Sequence, residues 1–257
     1  YDSCYKFIKN SKPDAIIHLA AQPLVRKSYR EALITYETNF NGTLNVLEIS
    51  ISLSIESTLI VTTDKVYADQ KRKSGYVERD SLGGFDPYSN SKALSDLLTQ
   101  SYINRYPDRN LGIARAGNVI GGGDDGEERL LPDIFQSIKS DSNLFLRNPA
   151  AIRPWQYVLD CLHGYFLGLN NIKNVEMPIW NFGPSRHYTV HDFVKIFISK
   201  FGQPINITTN VDSDYMKETD YLILNSTKAQ NELNWKPKMD LETTIESTLE
   251  WYQEAKK

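Results

Sequence analysis

Tyr88 and Lys92 stand four residues apart in "DPYSNSKALSD", Asp86 to Asp96, where a helical pattern begins. At that spacing both side chains lie on one helix face, close enough to influence each other. A tyrosine is a poor base at neutral pH, with a reference pKa of about 10. A neighbouring ammonium favours the phenolate, and so does the positive ring of an oxidised nicotinamide. Such a pair could take a hydroxyl proton while hydride leaves the same carbon. The spacing alone is common, and an ordinary surface helix supplies it as readily.

"TTDKVY", Thr62 to Tyr67, gives the pair its context. Thr63 offers a hydroxyl that could hold a substrate hydroxyl beside Tyr88, and Asp64 and Lys65 add an acid–base pair. A polar turn closing a strand is the plainer reading of the same residues. The four histidines (His18, His163, His187, His191) lack metal-ligand spacing, and His187 with His191 reads as a surface pair. Two cysteines, Cys4 and Cys161, make neither a disulfide framework nor a zinc site. No metal is expected, and the cysteine usage fits a reducing cytoplasm.

The elements that must position these residues alternate. "DAIIHLAA" (14–21), "STLIVTT" (57–63) and "LGIARAG" (111–117) are apolar runs of strand length. Between them lie helical patterns over 40–53 and 87–106. Strand–helix–strand alternation with continuously apolar strands predicts an α/β doubly wound parallel sheet. After Gly121 the texture changes: a glycine-acid loop "GGGDDGEE", then helical patterns over 130–140, 158–171, 190–201 and 241–255. "PIWNFGP" (178–184) is a strand that returns to the main sheet. The reading is a nucleotide-binding domain over 1–124, to which about 155–185 returns, and a smaller C-terminal α/β lobe over 125–257. Ligands in such sheets sit beyond the carboxyl ends of the strands. Three strands end there in Ala20-Ala21-Gln22, Thr62-Thr63-Asp64-Lys65 and Ala116-Gly117-Asn118.

Composition bounds the class. The 257 residues suffice for one large domain or two small ones, and the net charge of −3 without a basic block argues against a nucleic-acid binder. No apolar run approaches the roughly 18 residues of a membrane span, so no membrane span is expected.

"HLAAQ" (18–22), "TNFNGTLNVLE" (38–48), "TTDKVY" and "YSNSK", in this order, resemble the extended short-chain dehydrogenase/reductases that act on nucleotide sugars. "ARAGNVIGGGD" (114–124), "RLLPD" (129–133) and "RNPAAIRPWQYVLD" (147–160) are similar to the CDP-glucose 4,6-dehydratases among them. The resemblance covers most of the chain and weakens beyond about Ser185. It implies a Rossmann-like fold, NAD used without net consumption, and a nucleotide-sugar substrate, CDP-glucose, in deoxysugar synthesis. By the same resemblance Tyr88, with Lys92 and Thr63, oxidises the sugar at C4. Asp64 then protonates the departing C6 hydroxyl and Lys65 removes the C5 proton, leaving a 4-keto-6-deoxy sugar. A lysine acts as base only when neutral, against a reference pKa near 10.4, so Lys65 is alternatively a stabiliser of the enolate.

Asn118 could donate to a diphosphate oxygen. Arg129, Arg147 and Arg153 match phosphate geometry, and the resemblance favours Asn118 and Arg153. Ala20, Ala21 and Gln22 let a cofactor lie against the backbone, Thr62 lies at its edge, and Asn39 fixes either a neighbouring loop or the cofactor. Trp155 is alternatively plain core. A homodimer through the 87–106 helix is expected by fold analogy. Two departures stand out. No glycine-rich turn occurs before His18, so roughly 60–80 residues, about two βα units, are expected to be missing, and the chain alone is expected to be inactive. The acidic run after Asp124 lies near a region expected to meet an anionic nucleotide. The readings left open are another nucleotide-sugar dehydratase, an epimerase, or a non-catalytic nucleotide-binding regulator.

Overall fold

Runs of apolar and β-branched residues supply the strands of the computed structural model, which describes residues 1–209 and 219–254. They are β1 (Ala15–His18), β2 (Ser57–Thr63), β3 (Asn110–Ala116), β4 (Val119–Ile120), β5 (Leu144–Leu146), β6 (Ile152–Arg153), β7 (Gln156–Tyr157), β8 (Ile179–Phe182), β9 (Tyr188–Thr189) and β10 (Ile207–Thr209). The helices are α1 (Asp2–Ser11), α2 (Val25–Arg30), α3 (Ala32–Tyr36), α4 (Gly42–Ser52), α5 (Pro87–Arg105), α6 (Leu130–Ser140), α7 (Val158–Asn171), α8 (Val190–Phe201), α9 (Thr227–Leu233) and α10 (Leu241–Glu254). The Ala255 end expected for the last helix lies outside the described residues.

The main sheet runs β1-β2-β3-β8, all parallel. The strand expected in "PIWNFGP" is therefore its fourth member. Register aligns Thr63 with Ala116, and Ala116 with Phe182, so three strands end level at one edge. Helices cover both faces, as parallel strands buried on each side require. On one face Leu59, Val61, Ala114, Trp180 and Phe182 pack under Cys161 and Tyr165 of α7 and under Trp235. Gly164 lets α7 sit this close, because a Cβ there would lie 2.5 Å from the Phe182 ring. On the other face Val46, Leu47, Ile60 and Leu111 pack with Leu98 and Tyr102 of α5. A second core, built on Leu131, Ile134, Leu144, Trp155, Phe193, Phe197 and Ile245, belongs to the C-terminal half.

The start of α5 is fixed by its own sequence. Asp86 caps it, accepting from the Ser89 amide at 2.9 Å, with Pro87 in the first turn. Gly84 passes so close that a Cβ would fall 2.1 Å from the Ser89 carbonyl carbon. The helix then buries its small and polar residues, among them Ser89, Ser91, Lys92, Ser95, Asp96 and Thr99, while Leu94 and Leu97 face outward. The buried hydroxyls bond back to carbonyls one turn earlier: Ser91 to Tyr88, Ser95 to Ser91 and Thr99 to Ser95, at 2.7–2.9 Å.

Candidate active site

A cleft of about 1280 Å³ opens beyond the carboxyl edge of the sheet. Thr62, Thr63, Asp64, Lys65, Tyr88 and Asn118 line it from the sheet side, and Arg129, Arg147 and Arg153 from the C-terminal half. The β2 strand delivers Thr63 to the edge, and a single 3-10 turn, Asp64–Val66, turns the chain aside. The Thr63 hydroxyl caps that turn, accepting from the Lys65 amide at 3.4 Å, and donates to Asp64 Oδ1 at 2.9 Å.

Asp64 is 2% exposed, and its Oδ2 is buried with no hydrogen-bond partner among the described residues. Burial raises its carboxyl above the usual range, opposed by Lys65, the Thr63 hydroxyl and Arg153. A carboxyl so raised holds its proton more firmly than a free one does, which suits it to donate that proton. Tyr88 is half-buried beside Thr63, and loss of solvation pushes its phenol up to about 12, with the Thr63 hydroxyl working the other way. Lys92 is 4% exposed, and its Nζ donates to the Val61 carbonyl at 2.7 Å. Burial lowers its ammonium to about 8, against the pull of Asp96 one turn on. Desolvation dominates at both groups, and the lysine spends a donor on the strand.

The arginines come with carboxylates. Arg129 pairs with Asp124 at 3.0 Å and Arg147 with Asp133 at 3.5 Å. Arg153 is 6% exposed and donates to the Ile152 carbonyl at 2.9 Å. The acidic run after Asp124 meets cations: Glu128 pairs with Arg30 of α2 at 2.9 Å, joining that loop to the sheet side. The "RPWQ" segment is a structural clasp as well. Pro154 presses on Gly117, where a Cβ would lie 2.7 Å away. Gln156 donates to the carbonyls of Asn118, through its amide at 2.8 Å, and of Phe182, through Nε2 at 2.7 Å. Trp155 packs on Phe193 at 4.7 Å between ring centroids and also lines the cleft.

Ala20 is exposed and Ala21 half-buried just past β1. Gln22 and Asn39 bind each other: the Gln22 amide donates to Asn39 Oδ1 at 2.7 Å, and Asn39 Nδ2 returns to the Gln22 carbonyl at 3.1 Å. Asn39 also reaches the Ser91 hydroxyl at 2.9 Å, tying the loop after β1 to α5. The Thr62 hydroxyl turns away from the cleft to Asp96, at 2.9 Å.

His187 differs from the surface reading: it is half-buried, with an unpartnered buried Nε2 and an imidazole whose pKa burial lowers, while His191 is exposed. Among the described residues no three His, Cys, Asp or Glu side chains gather as metal ligands.

Sequence reasoning missed several contributors. Burial, with Lys92 second, lowers His18 to about 4, and its Nε2 is buried without a partner at the end of β1. Tyr165 of α7 lines the cleft from the core. Arg26 contributes another cationic wall, with a buried Nε that has no hydrogen-bond partner among the described residues. The Asp96–Arg115 ion pair underlies the whole site. One signal was legible: Arg115 is a charge inside an otherwise apolar strand.

A parallel sheet whose strand ends present a tyrosine–lysine helix and a Thr-Asp-Lys turn defines the class of extended dinucleotide-fold dehydratases and epimerases. The family profile described as GDP-mannose 4,6 dehydratase matches residues 1–248, and the chain belongs to that family. It is 36% identical over 260 residues to a CDP-glucose 4,6-dehydratase of Salmonella typhimurium, covering 96% of this chain and 72% of that one. In fold it is similar to a dTDP-glucose 4,6-dehydratase from Bacillus anthracis, with a TM-score of 0.83 and 23% identity over 98% of this chain and 76% of that one. A UDP-glucose 4-epimerase from Thermotoga maritima is similar too, with a TM-score of 0.84 and 22% identity over 100% and 82% of the two chains.

Proposed function

We propose that the protein dehydrates a nucleotide-activated glucose, CDP-glucose, to the 4-keto-6-deoxy sugar. The observation that carries this reading is Asp64. It is a buried carboxyl whose pKa burial raises, set beside Lys65 in the cleft that Tyr88 lines, with Lys92 one turn on from Tyr88 in α5. An epimerase moves hydride at one carbon and needs no acid to expel a hydroxyl. A nucleotide-binding regulator has no use for Thr63, Asp64, Lys65, Tyr88 and Lys92 gathered around one strand end.

The residues at the strand ends suit the nicotinamide end of NAD. His18 leaves a buried nitrogen unpaired there, and Lys92 gives the strand one of its three protons. Lys92 and Tyr88 would hold the cofactor's ribose, and Ala20, Ala21, Gln22 and Thr62 would border it. When bound, NAD supplies a positive ring that favours the Tyr88 phenolate, and a hydride store that lets C4 be oxidised and C6 reduced without net redox change.

Tyr88 accepts the proton of the sugar's C4 hydroxyl while the Thr63 hydroxyl steadies the C4 oxygen. The C4 ketone acidifies the hydrogen on C5; Lys65 removes it as base and gives it back to C5 when C6 is reduced, or stabilises the enolate while another group carries that proton. Asp64 gives its proton to the departing C6 hydroxyl, which leaves as water. The arginines divide the anion: Arg153 and Asn118 face the diphosphate, with Arg129 and Arg147 exchanging their carboxylates for it.

The chain is further proposed to act as a homodimer. Leu94 and Leu97 are exposed on α5, and Leu33 and Ile34 on α3, which packs against it. Light scattering should give twice the monomer mass, and Leu97→Lys should halve it. The functional reading is tested by incubating the full-length protein with NAD and separate CDP-, dTDP-, GDP- and UDP-glucose. A 4-keto-6-deoxy product with the CDP sugar supports it; product only from another nucleotide, or a 4-epimer, overturns it.

A further inference from the structure

A buried guanidinium beneath the cleft holds both ends of the segment that carries Thr63, Asp64 and Lys65. Arg115 of β3 is fully buried, and its Nε and Nη2 each donate at 2.8 Å to Asp96 of α5. Asp96 Oδ2 also accepts from the Thr62 hydroxyl at 2.9 Å, which fixes the residue just before Thr63. On its other side Arg115 Nη1 donates to the Tyr67 hydroxyl at 2.9 Å and to the Glu78 carbonyl at 2.8 Å. The Tyr67 hydroxyl donates in turn to Asn181 Oδ1 of β8 at 2.6 Å. Its ring stacks on Tyr76, with centroids 4.9 Å apart.

Stability alone is a weak reason for this arrangement. Desolvating a buried ion pair costs as much as the pair returns, and apolar residues of equal volume do as well. What the fork supplies is geometry: two rigid directions from one planar group. The two directions serve different parts of the site. Tyr88 and Lys92 belong to α5, which Asp96 and the Lys92–Val61 bond secure without Tyr67. Asp64 and Lys65 belong to a single 3-10 turn, and Tyr67 is the residue immediately after it.

Resting on the dehydratase reading, we propose that Tyr67, held by Arg115 and Asn181, is a positioning residue for elimination: it sets the Asp64–Lys65 turn against the sugar and leaves C4 oxidation to elements anchored separately.

The test uses Tyr67→Phe in the protein with NAD and its nucleotide sugar. Turnover should fall about tenfold or more, as a small misplacement of catalytic groups produces. KM and the rate of C4 oxidation in the first turnover, read from cofactor absorbance, should stay at wild-type values. Amide hydrogen exchange over residues 64–67 should speed up whether or not substrate is present. Tyr76→Phe is the control. It removes the hydroxyl of the stacked ring, which accepts from the Gln70 amide at 2.9 Å and does not touch Arg115. It should leave turnover near wild type. Wild-type turnover in Tyr67→Phe, equal slowing of oxidation and elimination, or an equal loss in Tyr76→Phe would each overturn the proposal. A wild-type protein that dehydrates no sugar removes the dehydratase reading and the role in elimination together. Unchanged exchange over 64–67 removes the strap itself, independently of that reading.

Discussion

Lys92 donates from Nζ to the Val61 carbonyl at 2.7 Å, so the helix that carries Tyr88 is tied to the strand that ends in Thr63. The bond spans the two elements whose separation sets the distance between the tyrosine and the threonine hydroxyl. It also places an amine where water is absent, and the protein's response to pH follows from that.

The folded Lys92 ammonium titrates at about 8, against 10.5 for a free lysine. Below pH 8 both folded and unfolded chains hold this proton, so the group adds no slope. From about 8 to 10.5 the unfolded chain keeps a proton that the folded chain has shed. The Lys92 contribution to stability therefore rises with pH across that window and levels off above it. Urea unfolding of wild type and Lys92→Met at pH 7 and pH 10.5 should show wild type gaining on the variant by roughly 3 kcal/mol. A difference that does not change with pH would contradict the burial of the charge.

Asp64 works in the opposite sense. Its folded pKa lies above the unfolded 3.8, so the folded chain binds more protons as pH rises past that value, and stability is lost through the window up to the folded pKa. Asparagine copies the protonated form and loses nothing. Asp64→Asn should melt above wild type at pH 7, because it carries no charge to bury. Its turnover should fall about 100-fold or more, as loss of a general acid does. A variant less stable than wild type would show that the carboxylate is the favoured form.

Tyr88→Phe removes the proton acceptor and little else. Turnover should drop roughly 1000-fold, with nucleotide-sugar affinity by calorimetry unchanged and NAD affinity weakened only by the loss of one ribose contact. Residual turnover near wild type would take Tyr88 out of the chemistry.

Gly117 supports the substrate side. The methyl of Gly117→Ala would meet the Pro154 ring and carbonyl at 2.7 Å and push the Arg153–Pro154 segment away. KM for the nucleotide sugar should rise more than kcat falls, with an overpacking cost of roughly 1–3 kcal/mol by denaturant unfolding. An unchanged KM would show that Arg153 does not bear on substrate binding.

Most of the sheet was legible because its strands are apolar throughout and its helices start at clear signals, such as Asp86-Pro87. The strand reading over 57–63 and the helix readings over 130–140, 158–171 and 190–201 coincide with β2, α6, α7 and α8. The orientation of α5 was not legible. A helix that buries Ser91, Ser95, Asp96 and Thr99 and exposes Leu94 and Leu97 inverts the usual pattern, and only the partners of those hydroxyls explain it. The tyrosine, lysine and threonine could be picked out because their chemistry is local. The Arg147–Asp133 pair and the Tyr67–Arg115–Asp96 link join residues 14 to 48 positions apart and leave no local spacing to read.

The central claim is that one cleft moves hydrogen from C4 to C6 of the sugar while expelling water. CDP-glucose carrying deuterium at C4 tests it most directly, with the product's C6 methyl analysed by NMR and mass spectrometry after turnover with NAD. The deuterium should appear in that methyl group, and the product should be about 18 mass units lighter through loss of water. Deuterium retained at C4, or a product of unchanged mass, would contradict it.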